Sequence, residues 1–365
     1  MQFARGPTYA VQIASHLGLS AVGLFVPLHA KTLGASDVEV GFIVAAYGAA
    51  VFFAGWLSGR AADRLGAKRL VLRAGLLVAG LTSLLVAVAT DPVSLGLARV
   101  AFGIGSGAFP AALIAYAYDQ TRRPGRFAAW GSLGFALGNV VAGLLGDPRE
   151  VFVAGGALLL AALAVSFLLP PRPEVRVQVP LFPREVIARN LPAYTAMTIR
   201  HTGAAAVWAV FPIHLALLGA THLEIGLLYA ANGIFQFTFM HVSDRFASVP
   251  MVVGGLATSA LTFLLLAAAA DLPALFAIQV VLGLSWALLY VGTLKYVMER
   301  NVERATSTGL LQSAQSMSNV LGPLMGGVVA QAAGYTATMW VALAMSLVAI
   351  PIFVWERRVL ARANQ

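Results

Sequence analysis

Twelve stretches of about 20 mostly apolar residues occupy most of this chain, at 7–30, 38–58, 70–89, 93–117, 127–146, 151–169, 191–217, 223–241, 250–270, 273–296, 306–331 and 335–355. An α-helix needs about 20 apolar residues to cross a bilayer. The loops between them are short, and the longest, 171–190, is rich in Pro and Arg and separates six spans from six. The expected fold is therefore an all-α polytopic membrane protein with twelve transmembrane helices. It divides into an N-terminal six-helix bundle (1–170), a linker loop (171–190) and a C-terminal six-helix bundle (191–365). Composition agrees: 59% of residues are hydrophobic and 11% charged, against roughly 25% charged in soluble chains. With only 15 Asp and Glu in 365 residues, the chain cannot build a water-facing surface. A soluble enzyme, a nucleic-acid-binding domain and a disordered chain are excluded. The absence of cysteine removes disulfides, thiol catalysis and zinc–thiolate sites. The first span follows a single basic residue, Arg5, and reads as a retained helix.

The formal net charge of +9 reads as topology rather than as affinity for nucleic acid. With both termini in the cytoplasm, nineteen Lys and Arg fall on the cytoplasmic side, two (Lys31, Arg149) outside, and three (Arg99, Arg200, Lys295) within spans. Acids divide into eight inside and seven outside, with none in a span interior. This satisfies the positive-inside rule and predicts a multi-pass protein of the cell membrane.

The two halves repeat each other. At an offset of 185, His16 matches His201, Gly18 Gly203, Pro27 Pro212, His29 His214, Gly34 Gly219, Glu39 Glu224 and Gly41 Gly226. Asp63-Arg64 matches Asp244-Arg245 after a shift of about one turn. At an offset of 180, Asp91 matches Asp271, Gly103 Gly283, Tyr116 Tyr296, Asp119 Glu299 and Asn139 Asn319. Parallel repeats of six spans describe a duplicated transporter with its site between the halves.

Strong polar groups avoid spans three, six, nine and twelve. Span one carries Gln12, Ser15, His16 and Ser20 on one face, span four Arg99, span five Asn139, and span seven Arg200 and His201. Span eight carries Asn232 and Gln236, span ten Gln279, Trp286, Tyr290 and Lys295, and span eleven Gln312, Gln315, Ser316 and Asn319. Polar groups at this depth face a cavity or a partner. The expected substrate site is a central cavity drawing on His16, Arg99, Arg200, His201, Asn232, Gln236, Tyr290, Gln315 and Asn319. A buried Arg200 needs a partner, and no span supplies an acid, so a substrate carboxylate or phosphate is the expected partner, with backbone carbonyls or the membrane interface as the alternative. His16 and His201 titrate near neutral pH in water and are proton-coupling candidates that could face each other. Lys295 is expected to snorkel to the interface or pair with Glu299. Glycines at i, i+4 (Gly55/Gly59, Gly103/Gly107, Gly134/Gly138, Gly322/Gly326) read as close helix packing.

Three motifs carry a family resemblance. The loop Gly59-Arg60-Ala61-Ala62-Asp63-Arg64-Leu65-Gly66-Ala67-Lys68-Arg69 resembles the G-x-x-x-D-R-x-G-R-K/R signature of the major facilitator superfamily, with Ala67 where Arg is usual. Arg99-Val100-Ala101-Phe102-Gly103-Ile104-Gly105-Ser106-Gly107 is similar to that family's R-x-x-q-G-x-G element. Gly322-Pro323-Leu324-Met325-Gly326-Gly327 is similar to the G-P-x-x-G-G element of its drug-exporter branches, which usually lies in the fifth span. There this chain has Gly138-Asn139 without the proline.

The resemblance implies a rocker-switch transporter in which every third helix faces lipid. It implies a gate built from Gly59, Asp63, Arg64, Gly66, Lys68 and Arg69, with Asp119 and Arg126 nearby and Asp244-Arg245 as a second copy. It associates Arg99 with proton coupling, and Gly103, Gly107, Gly138, Gly322, Pro323 and Gly326 with helix packing. The expected function is secondary transport of a small organic solute, anionic or amphipathic, with protons as a candidate co-substrate. Proton-coupled multidrug efflux and lipid or lysolipid flipping are the alternatives. No catalytic, cofactor or metal site is expected. The expected partners are the solute and membrane lipids, with the chain acting as a monomer.

Overall fold

The computed structural model describes residues 6–24, 26–35, 37–171 and 176–363; positions 172–175 of the expected linker lie outside the described residues. Among the described residues all regular structure is helical. Span one comprises α1 (Gly6–Leu24) and α2 (Val26–Thr32). The remaining spans are α3 (Asp37–Leu65), α4 (Lys68–Ala87), α5 (Pro92–Thr121), α6 (Pro124–Leu145), α7 (Pro148–Ser166), α8 (Arg184–Leu217), α9 (His222–Ser243), α10 (Ser248–Ala268), α11 (Leu272–Arg300), α12 (Arg304–Ala333) and α13 (Tyr335–Ala363).

Several helices outrun their apolar stretches at the linker end: α3 continues to Leu65, α8 starts at Arg184 and α13 reaches Ala363. A helix bonds its own backbone, so it need not stop where hydrocarbon gives way to water. Eight helices are each long and apolar enough to cross a membrane among the described residues. The four long helices outside that set, α1, α8, α9 and α12, carry His16, Arg200 and His201, Asn232 and Gln236, and Gln312, Gln315 and Asn319.

The repeat survives in local detail. Asp91 and Asp271 both cap the helix that follows, accepting from Val93 and Ser94 amides and from the Ala274 amide respectively. Gly34 and Gly219 both have φ of +86°, a left-handed conformation that suits glycine after a helix end. Beside them, Ala35 N–H donates to Ala30 and Ala220 N–H to Leu215, both at 3.0 Å.

Packing follows the same two-fold logic. In the N-terminal half α1 packs on α6 and α7, α5 on α3 and α4, and α4 on α7. In the C-terminal half α8 packs on α12 and α13, α11 on α9 and α10, and α10 on α13. The halves meet along α3 with α12 and α6 with α9. The outermost helices α4, α7, α10 and α13 expose large apolar side chains such as Leu81, Leu85, Val153, Leu261, Leu347 and Trp355, as lipid contact requires. The linker is strapped along α3: Arg60 Nε donates to the Val179 and Pro180 carbonyls at 3.0 and 2.8 Å. Val177 N–H donates to the Asp63 carbonyl at 3.0 Å.

Candidate translocation cavity and its closure

Between α1, α6 and α9, in the part of the bundle away from the linker, lies a cavity of about 370 Å³. It is lined by His16, Leu19, Ser20, Gly23, Leu24, Phe135, Asn139 and Tyr229. α1 reaches α6 closely because α6 carries glycine where they cross: a Cβ on Gly134 or Gly138 would strike the Ile13 or Leu17 carbonyl. His16 Nδ1 lies 3.1 Å from the Gln12 carbonyl oxygen, and the ring packs on Gly131. Asn139 donates to the Phe135 carbonyl at 3.1 Å. The walls are mostly apolar, with His16, Ser20, Asn139 and Tyr229 as polar points.

Of the expected binding residues, His16 lines this cavity. Asn232 and Gln236 instead lie at the seam between the halves, where Gln236 Nε2 donates to Asn232 Oδ1 and Ser132 Oγ donates to Gln236 Oε1 at 3.2 Å. The His201 ring lies 5.2 Å from Trp286, which stacks on Tyr290 at 5.3 Å, and its Nδ1 has no hydrogen-bond partner among the described residues. Gln315 Nε2 reaches Met197 Sδ at 3.8 Å. His16 and His201 are thus each packed within their own half.

The buried cations differ from expectation. Arg200 is 2% exposed, with Nε donating to Ser259 Oγ at 2.8 Å and Nη2 to Ser285 Oγ at 3.4 Å. The Phe263 and Trp286 rings flank its guanidinium at 5.6 Å. It is satisfied by hydroxyls and aromatic faces inside the C-terminal half, so its burial does not demand an anion. Arg99 lies over the Tyr47 ring at 3.9 Å and near Phe102 at 5.3 Å. Its Nε and Nη1 have no hydrogen-bond partner among the described residues. Lys295 neither snorkels nor pairs with Glu299. Its Nζ donates to the Asp244 and Phe246 carbonyls at 3.1 and 2.6 Å, because the end of α9 leaves carbonyls without helical partners.

The linker end is closed by two related contacts. Asp63, at the end of α3, accepts from the Thr306 N–H and hydroxyl at 2.7 and 2.8 Å and from Ala305 N–H at 3.4 Å, at the start of α12. Asp244, just past α9, accepts from Gly125 and Arg126 N–H at 2.8 and 2.9 Å, at the start of α6. A carboxylate is favoured at a helix start, where free N–H groups and the helix dipole converge. Asp63 therefore crosses the half-interface to the first turn of α12, through two backbone N–H groups and the Thr306 hydroxyl. Gly55 and Gly59 face Gly309 and Ala305, which brings α3 and α12 close enough for these bonds. Asp119 binds Lys68 at 2.7 Å and also Arg304 of the other half. Gly66 turns the chain into α4 with φ of +59°, Arg69 reaches the Leu169 carbonyl, and Arg64 is exposed.

The other packing glycines are also at close approaches. A Cβ on Gly103 or Gly107 would meet α3, and one on Gly322 or Gly326 would meet α8 around Thr202 and Ala206. Pro323 lies inside α12. Thr306, Ala305, Arg304, Gly125, Tyr47, Ser259 and Ser285 are partners the sequence reading missed. Each is distant in sequence from the group it meets, and the only local signal was helix-start chemistry at Pro124 and in the Thr306-Ser307-Thr308 run.

The family model described as Major Facilitator Superfamily matches residues 8–196 and again 193–364. The chain is 24% identical to quinolone resistance protein NorA of Staphylococcus aureus (strain COL), across 96% of this chain and 95% of that one. It is 32% identical to puromycin resistance protein pur8 of Streptomyces alboniger over 44% of this chain and 34% of that protein. The crystal structure of the human organic anion transporter MFSD10 (TETRAN) shares the fold, with a TM-score of 0.77 and 16% identity over 95% of this chain and 98% of that chain. With the duplicated helical bundles and the motif around Asp63, these matches make the chain a multi-pass membrane transporter, not an enzyme, of the Major Facilitator Superfamily.

Proposed function

We propose that this transporter exports small amphipathic organic molecules across the cell membrane by alternating access, with both termini and the linker cytoplasmic. The observation that carries this reading is the cavity beside His16: mostly apolar walls with a few polar points, a lining suited to amphipathic ligands. The abundance of Lys and Arg at the linker end supports the orientation, which makes this conformation closed to the cytoplasm. The resistance proteins NorA and pur8 support export. His16 is the candidate proton carrier, because it lines the cavity and no span interior holds an acid.

The test is efflux from proteoliposomes of a panel of lipophilic cations, neutral amphiphiles and organic anions at about pH 6 and pH 8, on either side of the usual imidazole range. Export of amphiphiles that depends on pH in the wild type, and loses that dependence in His16→Gln, is expected. Movement of hydrophilic solutes alone would overturn the reading.

An amphipathic anion is the narrower version, favoured by Arg99, whose Nε and Nη1 are without hydrogen-bond partners among the described residues. On that version Arg99→Gln raises KM for an anion about tenfold, the loss expected for one charge-assisted contact, and leaves a cation unaffected.

A further inference from the structure

At the linker end, between the first turn of α6 and the last turn of α9, lies a second cavity of about 260 Å³, lined by Arg123, Arg126, His241, Asp244 and Arg245. Its one acid is already engaged: both Asp244 oxygens accept backbone N–H groups of α6. Three guanidinium groups therefore share one small space, and none forms an ion pair with a described carboxylate. The repeat-related corner is different. There Asp119 sits between Lys68 and Arg304 and neutralises the charge internally. The repeat partner of Asp119 is Glu299, which is bound instead by the Ser248 hydroxyl at 3.1 Å. The α6–α9 corner thus lacks the anion that its counterpart carries.

Two further features define what would fill it. The wall is fixed, because His241 Nδ1 lies 3.3 Å from the Phe237 carbonyl oxygen and its ring stands edge-on to Trp130 at 5.6 Å. An apolar path also leads to it: Ile234 and Val242 on α9 and Phe246 beside Arg245 are 51%, 42% and 54% exposed. A ligand with a hydrocarbon chain along α9 places its head among the arginines. Guanidinium forks match phosphate oxygens, and the cavity lies at the ends of α6 and α9, where apolar helix gives way to a basic loop.

We propose that this cavity binds the phosphate head of an anionic phospholipid, and that the bound head holds the linker end shut. Arg123 and Arg126 belong to one half, and His241 and Arg245 to the other. A head bridging them stabilises the closed arrangement and is released when the halves part.

The test uses the purified full-length protein with three probes: dioctanoyl phosphatidylglycerol, dioctanoyl phosphatidylcholine and inorganic phosphate. Thermal melting reports binding. Labelling of a Ser132→Cys variant, at the α6–α9 seam, reports closure, and the cysteine-free background makes the signal unambiguous. Phosphatidylglycerol should raise Tm and slow labelling about tenfold, and phosphatidylcholine should do neither. The combined Arg123→Gln, Arg126→Gln and Arg245→Gln variant should bind phosphatidylglycerol at least about tenfold more weakly, and the corresponding triple Lys variant much less so. These substitutions leave the backbone N–H groups on Asp244 in place. Should the triple Gln variant not fold, the one substitution Arg245→Gln, at an exposed residue, carries the test, with an affinity loss of about threefold expected. Inorganic phosphate acting as strongly as phosphatidylglycerol would overturn the lipid in favour of a soluble phosphate site. Equal response to both lipids, or a response unchanged in the variants, would overturn the site.

Discussion

Asp63 and Asp244 occupy repeat-related positions and bond the first turns of α12 and α6. Each places a carboxylate on two backbone donors at a helix start and so joins the two halves at the linker end. Charge-assisted bonds of this kind contribute about 1.5–3 kcal/mol, so Asp63→Asn should weaken closure by up to about two orders of magnitude in the open-to-closed ratio. The measurement is maleimide labelling of a single cysteine placed at Ser313, which bonds the Phe52 carbonyl across the α3–α12 interface at 2.6 Å. Transport should slow while ligand affinity barely changes; a large loss of affinity at normal turnover would contradict the gating role. Asp63 was legible from its motif, but its donors were not, because two are peptide N–H groups that carry no residue identity and the third, the Thr306 hydroxyl, lies 243 residues away in sequence.

At the scale of elements, the seam of α3 and α12 depends on having no side chain at four positions, Gly48, Gly55, Gly59 and Gly309, facing Val320, Ala305 and one another. A methyl group on Gly59 or Gly309 would strike the carbonyl of Ala305 or Gly55. Gly309→Val is therefore expected to push the helices apart at a cost of about 1–3 kcal/mol and to lower transport sharply. Gly143→Ala, where an added Cβ meets nothing within 4 Å, should leave melting and transport near wild type. Comparable losses in both variants would show that glycine content rather than this crossing matters. The sequence marked Gly55 and Gly59 by their i, i+4 spacing but not Gly48 or Gly309, and only the packing assigned them to this crossing.

Across the whole molecule, sidedness follows from charge. Lys and Arg gather at the linker end, which the structure closes, while the His16 cavity lies toward the other end. Single cysteines placed at Gly146 and Arg123, in loops at opposite ends, should be labelled oppositely in intact cells by a membrane-impermeant maleimide: Gly146→Cys at once, Arg123→Cys only after lysis. The reverse pattern would invert the proposed orientation.

The sequence by itself determined the number of spans, the two-fold repeat, the family and which helices meet lipid. Each of these depends on local apolarity or short-range spacing, which a bilayer reads directly. Tertiary structure decided where each polar group was satisfied. Arg200 found Ser259 and Ser285, Lys295 found the end of α9, and Asn232 and Gln236 joined the seam with Ser132 rather than the cavity. Such pairings depend on how neighbouring helices rotate and slide against one another. A charge at bilayer depth requires a partner, and helix packing chooses which partner comes within reach.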